Sequence, residues 1–158
     1  MITTRLATSS DAETLARLRW NFRLELRPAT APPPRPWQEF EDVMSSFLGE
    51  VFASGSWAIW VAEEDGWILA NLYIRRIRKV PNPVQFFAEI GYVTNVYCVP
   101  ERRNRGVGDQ LMEAAQDWAK AEGLELLFLW PSQRSVAFYL RHGFRRENDI
   151  LEYLIDEG

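Results

Sequence analysis

The chain has 158 residues, an ordinary apolar and charged composition, and a net charge of −4 at neutral pH. That length suits one domain with a real core, and the acidic balance argues against a general nucleic-acid role. The single cysteine rules out an intrachain disulfide and points to a reducing compartment. No signal-peptide pattern opens the chain and no apolar run is long enough to cross a bilayer. The expectation is a cytoplasmic protein that engages neither nucleic acid nor membrane.

Residues 2–7 read as a short strand. Ser10-Asp11-Ala12-Glu13 reads as a capping box opening an amphipathic helix with Leu15, Leu18, Phe22 and Leu26 at helical spacing. The helix stops before Pro28, because the proline-rich stretch 28–36 can form neither helix nor inner strand. That stretch has two readings: a stiff connector, or the wall of a substrate pocket with Arg35 and Trp37 as contacts. A second helix starts near Trp37 and places Phe40, Val43, Met44, Phe47 and Leu48 on one face.

Residues 56–63 predict a strand, and Asp65-Gly66 predicts the turn to a return strand over 67–77. Arg75, Arg76, Arg78 and Lys79 gather at its far end, as a solvated tip or a patch for an acidic ligand. Residues 85–99 predict a strand too long to be flat, with a bulge or bend at Gly91. A helix then runs to about Glu122, burying Val107, Leu111, Ala114, Ala115 and Trp118 and capped by Gly123. The apolar run 124–130 suits a central strand covered on both faces. A short helix over 134–142, closed by Gly143, and a final strand from Phe144 onward that includes 150–155 complete the chain. Strands and helices in this order predict an α+β (mixed α/β) layer with helices packed on a central sheet.

The stretch from Asn95 to Gly108 organises the rest. It begins as an apolar strand, breaks at Pro100, turns basic through Arg102, Arg103 and Arg105, and enters a helix through Gly106 and Gly108. Glycines let backbone N–H groups approach an anion, and a helix N-terminus adds roughly half a positive charge. The arginines add full charges that can pair with phosphate.

The element Arg103-x-x-Gly106-x-Gly108 lies between a strand and a helix, and Ala137-Phe138-Tyr139-Leu140-Arg141-His142-Gly143-Phe144 follows a later strand and turn. Together they resemble the GNAT superfamily of acyl-CoA-dependent N-acetyltransferases. Thr94-Asn95-Val96-Tyr97, leading to Pro100 and Arg103, also looks like that family's fourth strand. The pattern is neither a Walker A loop nor the full Gly-x-Gly-x-x-Gly of dinucleotide folds. The resemblance covers nearly the whole chain. It implies a GNAT-like fold over one domain, 1–158, with a mostly antiparallel sheet of about six to seven strands and about four helices.

The resemblance also implies roles. Main-chain groups of Val96, Tyr97, Cys98 and Val99 would hold the pantetheine arm of acetyl-CoA between splayed fourth and fifth strands. Amides of Arg103, Asn104, Arg105, Gly106, Val107, Gly108 and Asp109 would bind the pyrophosphate. Tyr139 matches the tyrosine that protonates the departing thiolate, against a plain packing role beside Phe138. A strand amide near Cys98 would polarise the thioester carbonyl. Glu89 is the candidate base for the attacking amine, with Glu25 second; Glu89 also reads as an exposed strand carboxylate.

Two departures from the family pattern stand out. The usual asparagine after the fifth strand is replaced by Pro131-Ser132-Gln133-Arg134-Ser135, leaving Ser132 or Ser135 as a substitute contact. Cys98 replaces an apolar residue, but with no histidine base in view a covalent acyl-enzyme is disfavoured. His142, the only histidine, reads as a surface residue at a helix end, and one histidine with one cysteine leaves no metal site. The acceptor would be a small-molecule amine or a peptide or protein amine, in a pocket offering Trp20, Trp37 and Tyr92. A homodimer is a further expectation from the family. The rival reading is a non-catalytic acyl-CoA-binding regulatory module.

Overall fold

Asp65 and Gly66 both take positive φ, 51° and 81°, which lets a two-residue turn join strands that twist together. The sheet grows from that hairpin. The structure is a computed structural model that describes residues 1–146 and 150–155. Among them, β1 (Thr3–Leu6), β2 (Trp57–Glu64), β3 (Trp67–Arg78), β4 (Glu89–Cys98) and β5 (Leu127–Phe128) form one sheet in sequence order. The first three pairings are antiparallel and β4–β5 is parallel.

Side chains alternate across the central strands, so each face gathers its own core. Ala70, Leu72 and Ile74 of β3 meet Val107, Leu111, Met112 and Ala115 of helix α3 (Val107–Ala121). On the opposite face Tyr73, Ile59 and Val61 meet Leu15 and Ala16 of α1 (Ala12–Glu25) and Met44, Leu48 and Val51 of α2 (Trp37–Ser54). A fourth helix, α4 (Val136–Arg141), lies against the start of α3. The expected α+β architecture with four α-helices is present, and the described residues hold five strands rather than six or seven. No described helix is long and apolar enough to cross a membrane.

Several local expectations shift. The turn before α1 is closed by Asp11, whose carboxylate accepts the Thr8 N–H at 2.8 Å, so the reciprocal contact begins two residues before Ser10. Arg5 grips the same carboxylate with two N–H groups at 2.8 and 3.0 Å, which holds it below the usual aspartate range. Val43 lies off the buried stripe of α2 and is 69% exposed. Residues 85–88 precede β4 instead of extending it, with Phe86 and Phe87 exposed.

Gly91 is not the bend. An ideal Cβ there would lie 2.5 Å from Leu127, 2.9 Å from Ile74 and 3.0 Å from Leu124. The glycine therefore admits the close approach of β5. That strand is two residues long and pairs with β4 alone, so the run 124–130 is not a doubly covered central strand. Its ends instead carry half-exposed Leu126 and Trp130. The described parts of the expected last strand, 144–146 and 150–155, are not in strand conformation, and 147–149 lie outside the described residues.

Gly91→Val forces this contact apart and should lower unfolding free energy by about 1–3 kcal/mol. Urea denaturation monitored by tryptophan fluorescence measures it.

Candidate active site

The site begins where β4 and β5 separate. They pair only at Gly91–Leu127 and Tyr92–Phe128. Beyond that point β4 runs on to Cys98 with β3 alone, leaving its other edge open among the described residues. A bulge lies within this free stretch: Tyr73 pairs with Thr94 and Asn71 with Tyr97, so β4 holds one residue more than β3. Asn95 occupies the extra position with φ 51°. The Asn71 Nδ2 donates to the Asn95 carbonyl at 2.6 Å, and Arg19 donates to Asn95 Oδ1 at 3.1 Å. Val99 N–H donates to Leu69 O at 2.9 Å. By antiparallel alternation Tyr97 also faces β3, while Val96 and Cys98 turn their polar backbone groups to the open edge.

The chain then reaches α3 through a tight basic loop. Asn104 and Gly106 have φ of 58° and 78°, the latter at the α3 N-cap. The first amides of any α-helix lack intrahelical acceptors, so this turn presents N–H groups outward. Gly106 is demanded by its backbone angle. Gly108 is not demanded by packing, since a Cβ there would meet only the Phe138 ring at 3.5 and 3.7 Å, which is ordinary contact.

The three arginines of the loop diverge. Arg102 pairs with Glu64 at 2.6 Å. Arg103 donates to the Cys98 carbonyl at 2.9 Å and to both oxygens of Glu25 at 2.6 and 2.7 Å, so its side chain braces the loop against α1. Arg105 is exposed and pairs with no described carboxylate, which leaves it as the loop cation open to a ligand.

α4 closes over the first turn of α3. Arg141 and the His142 Nε2 each lie 2.8 Å from Asp109 Oδ1, and Gln116 donates to the His142 carbonyl at 2.8 Å. The His142 side chain is only 7% exposed and packs on Phe138, so it is a clamp between helices and not a surface residue. Hydrogen bonds from Arg141 and then His142 hold the Asp109 carboxyl below the usual range. Tyr139, from the same helix, packs edge-on to Phe138 and Phe144. Its hydroxyl bonds to no described residue, and burial pushes its pKa up to about 12. Tyr139 also lines a cavity of about 790 Å³ beside β5. Ser132 and Ser135 are engaged with each other, hydroxyl to hydroxyl at 2.9 Å, where the chain turns into α4.

Of the two candidate bases, Glu89 lies far from this place, while Glu25 lies beside Tyr97 and Val99 but is held by Arg103. Glu89 starts β4, nine residues from Cys98 or about 30 Å along an extended strand. Both its oxygens accept from Arg76 at 3.0 Å, and Arg76 also reaches Glu122 at 3.0 Å. Two members of the basic cluster at the end of β3 are thus committed to structural ion pairs, Arg76 here and Lys79 on Glu125 at 2.7 Å. Glu25 is held by Arg103, which keeps its carboxyl low. Burial pushes the Cys98 thiol up, away from the reactive thiolate. The proline-rich loop folds back on Arg27, just past the end of α1, which donates to the Pro32 carbonyl, and Trp37 packs on Trp20 and Phe40. The residues that the sequence did not single out are Arg19, Asn71 and Tyr73. A lone asparagine inside the apolar run Ile68–Ile74 was the available signal.

A family model described as Acetyltransferase (GNAT) domain matches residues 55–146, more than half of the chain. A search of curated proteins finds no significant match. Among solved structures, a predicted acetyltransferase with acetyl-CoA from Clostridium acetobutylicum superposes with a TM-score of 0.78 at 22% identity, over 98% of this chain and 96% of that one. A GCN5-related N-acetyltransferase from Ralstonia eutropha JMP134 gives 0.74 at 26% identity, over 98% and 99%. Glucosamine-6-phosphate N-acetyltransferase from Arabidopsis thaliana gives 0.70 at 19% identity, over 99% of both chains.

A carboxylate whose folded-state pKa is depressed stabilises the fold above its unfolded value, about 3.9 for aspartate, and loses that contribution as pH falls through the folded value. Asp109→Asn should therefore lower the melting temperature at neutral pH, and the difference from wild type should shrink once the pH drops below about 4. Thermal melts from pH 7 down to pH ~2.5 test this.

Proposed function

Since this chain belongs to the GNAT acetyltransferase family, we propose that it transfers the acetyl group of acetyl-CoA to a primary amine by direct attack. The observation that carries the reading is the open turn at Gly106–Gly108 set beside the parting of β4 from β5. Gly108 has no packing reason to lack a side chain, and close approach of a phosphate supplies one. The donor set fits a diphosphate: outward amides at the start of α3, the partial positive charge of that helix, and Arg105, which pairs with no described carboxylate.

Acetyl-CoA, when bound, supplies an activated thioester. The amides of Arg103 through Asp109 are assigned to its pyrophosphate, and the backbone groups of Val96 and Cys98 on the open edge of β4 to its pantetheine arm. A strand amide on that edge would polarise the thioester carbonyl, and fixed donors need no reorganisation during reaction. Tyr139 is assigned as the acid. Its raised pKa keeps the phenol protonated at neutral pH, so it has a proton to give to the leaving sulfur. Ser132 and Ser135, at the turn into α4, are the nearest equivalents of the family's asparagine contact. The proton shed by the amine passes to water, because Glu89 and Glu25 are both held by arginines.

The engagement of both carboxylates also favours a second reading, an acyl-CoA-binding module without catalysis. CoA release from acetyl-CoA across a broad amine panel, with acetyl-CoA binding recorded on the same sample, separates the two. Release for one amine class supports transfer; binding with no release across the panel supports the module.

Tyr139→Phe should lower kcat about 100-fold while acetyl-CoA affinity changes less than about twofold. Wild-type rates should show no decline from tyrosine ionisation near the ordinary value of ~10, because titration is displaced to about 12. Full activity in the variant would remove Tyr139 from the mechanism.

A further inference from the structure

We infer that the acceptor carries an acid group close to its amine, and that Arg19 receives that acid beside the β4 bulge. The inference rests on the acetyl-transfer reading and names its substrate class. Arg19 projects from α1 onto the sheet face that holds Tyr73, Thr94 and Asn95. Among the described residues its one hydrogen bond goes to a neutral oxygen, Asn95 Oδ1. A guanidinium has five N–H donors, so most of this one is uncommitted. Arg5, Arg76 and Arg103, each also partly buried, are all held by carboxylates.

Around Arg19 the charge balance has the wrong sign for a structural cation. The charged or titratable groups acting on it are Arg23, one turn along α1, and the phenols of Tyr73 and Tyr92; no carboxylate is among them. Burial and the Arg23 charge both disfavour its ionised form. Tyr73 adds a second orphan. It is 2% exposed and its hydroxyl has no hydrogen bond of acceptable geometry, although Asn95 is close enough to affect its titration. A half-buried guanidinium with donors to spare is what a carboxylate or phosphate needs, and the single buried phenol O–H beside it has no described acceptor.

Position ties the anion to the chemistry. Asn95, the Arg19 partner, immediately precedes Val96, whose backbone is assigned to the cosubstrate arm. An acid on Arg19 therefore sets an amine a few bonds away at the proposed thioester. Tyr92 stacks on Phe128 at 5.4 Å and meets Trp130 at 5.2 Å, giving the same face an aromatic platform for an apolar body. The class indicated is an amino acid or similar amine-acid.

The test is calorimetric binding to the CoA-loaded protein, which needs no turnover. Two matched pairs serve as probes: L-phenylalanine against L-phenylalaninamide, and O-phosphoethanolamine against ethanolamine. The acid-bearing member of one pair should bind at least about tenfold more tightly, and which pair shows it distinguishes carboxylate from phosphate. Arg19→Gln should reduce that preference to within about twofold, and Arg19→Lys should retain part of it. Should Arg19→Gln fail to fold by circular dichroism, Tyr73→Phe replaces it and should weaken only the acid-bearing probe. Equal binding within both pairs, no binding by any probe at millimolar concentration, or uniform weakening of all probes in Arg19→Gln would overturn the inference. Failure of CoA itself to bind would instead strike the acetyl-transfer reading, while the acid preference can still be read on the free protein.

Discussion

The hydrogen bond from the buried Asn71 amide to the Asn95 carbonyl is the constraint on which the site depends. Asn71 is 0% exposed and sits in the middle of β3, where an apolar residue would pack better. Its Nδ2 is bonded while its buried Oδ1 has no partner among the described residues; a bond of this kind contributes on the order of 1 kcal/mol net and costs more if left unmade. Here it holds one extra residue of β4 in a conformation that a regular ladder would reject. With the bulge pinned by both Asn71 and Arg19, β4 is re-aimed just where its second edge becomes free.

The other half of the site depends on helix ends. The N-terminus of α3 is left open by two glycines with different reasons to be glycine, one of backbone angle and one of access. The loop leading to it is held to α1 by Arg103, which spends its charge on Glu25 and not on a ligand. Sequence motifs and side-chain roles thus come apart: the first residue of Arg103-x-x-Gly106-x-Gly108 braces the loop, and the main chain beyond it does the presenting.

What could be read in the sequence follows the range of the interactions involved. Periodicity and turn chemistry are local, so the hairpin at Asp65-Gly66, the helices and the glycine turn were legible. The partners of charged side chains are not local. Glu89 looked like an available strand carboxylate because nothing in its neighbourhood along the chain reveals Arg76, thirteen residues earlier and across a hairpin. His142 looked like a surface residue because its contact, Asp109, lies on another helix. Gly91 reads as a bulge or bend because a glycine within a strand signals either that or a close approach, and only the fold decides between them. Arg19 was hidden for the same reason: an arginine on an amphipathic helix reads as solvated until a strand is found against it.

One consequence of the Asp109 clamp concerns local stability. α4 has six residues, far fewer than the ~12–15 an isolated helix needs to persist in water. Its order is borrowed from α3, through Arg141, His142 and the Phe138 ring lying over Gly108. The free energy that keeps the tyrosine-bearing helix wound is therefore stored at the same first turn of α3 that follows Gly106. Unwinding α4 and loosening that turn are one local opening event, so Tyr139 and the glycine turn share a single cooperative unit.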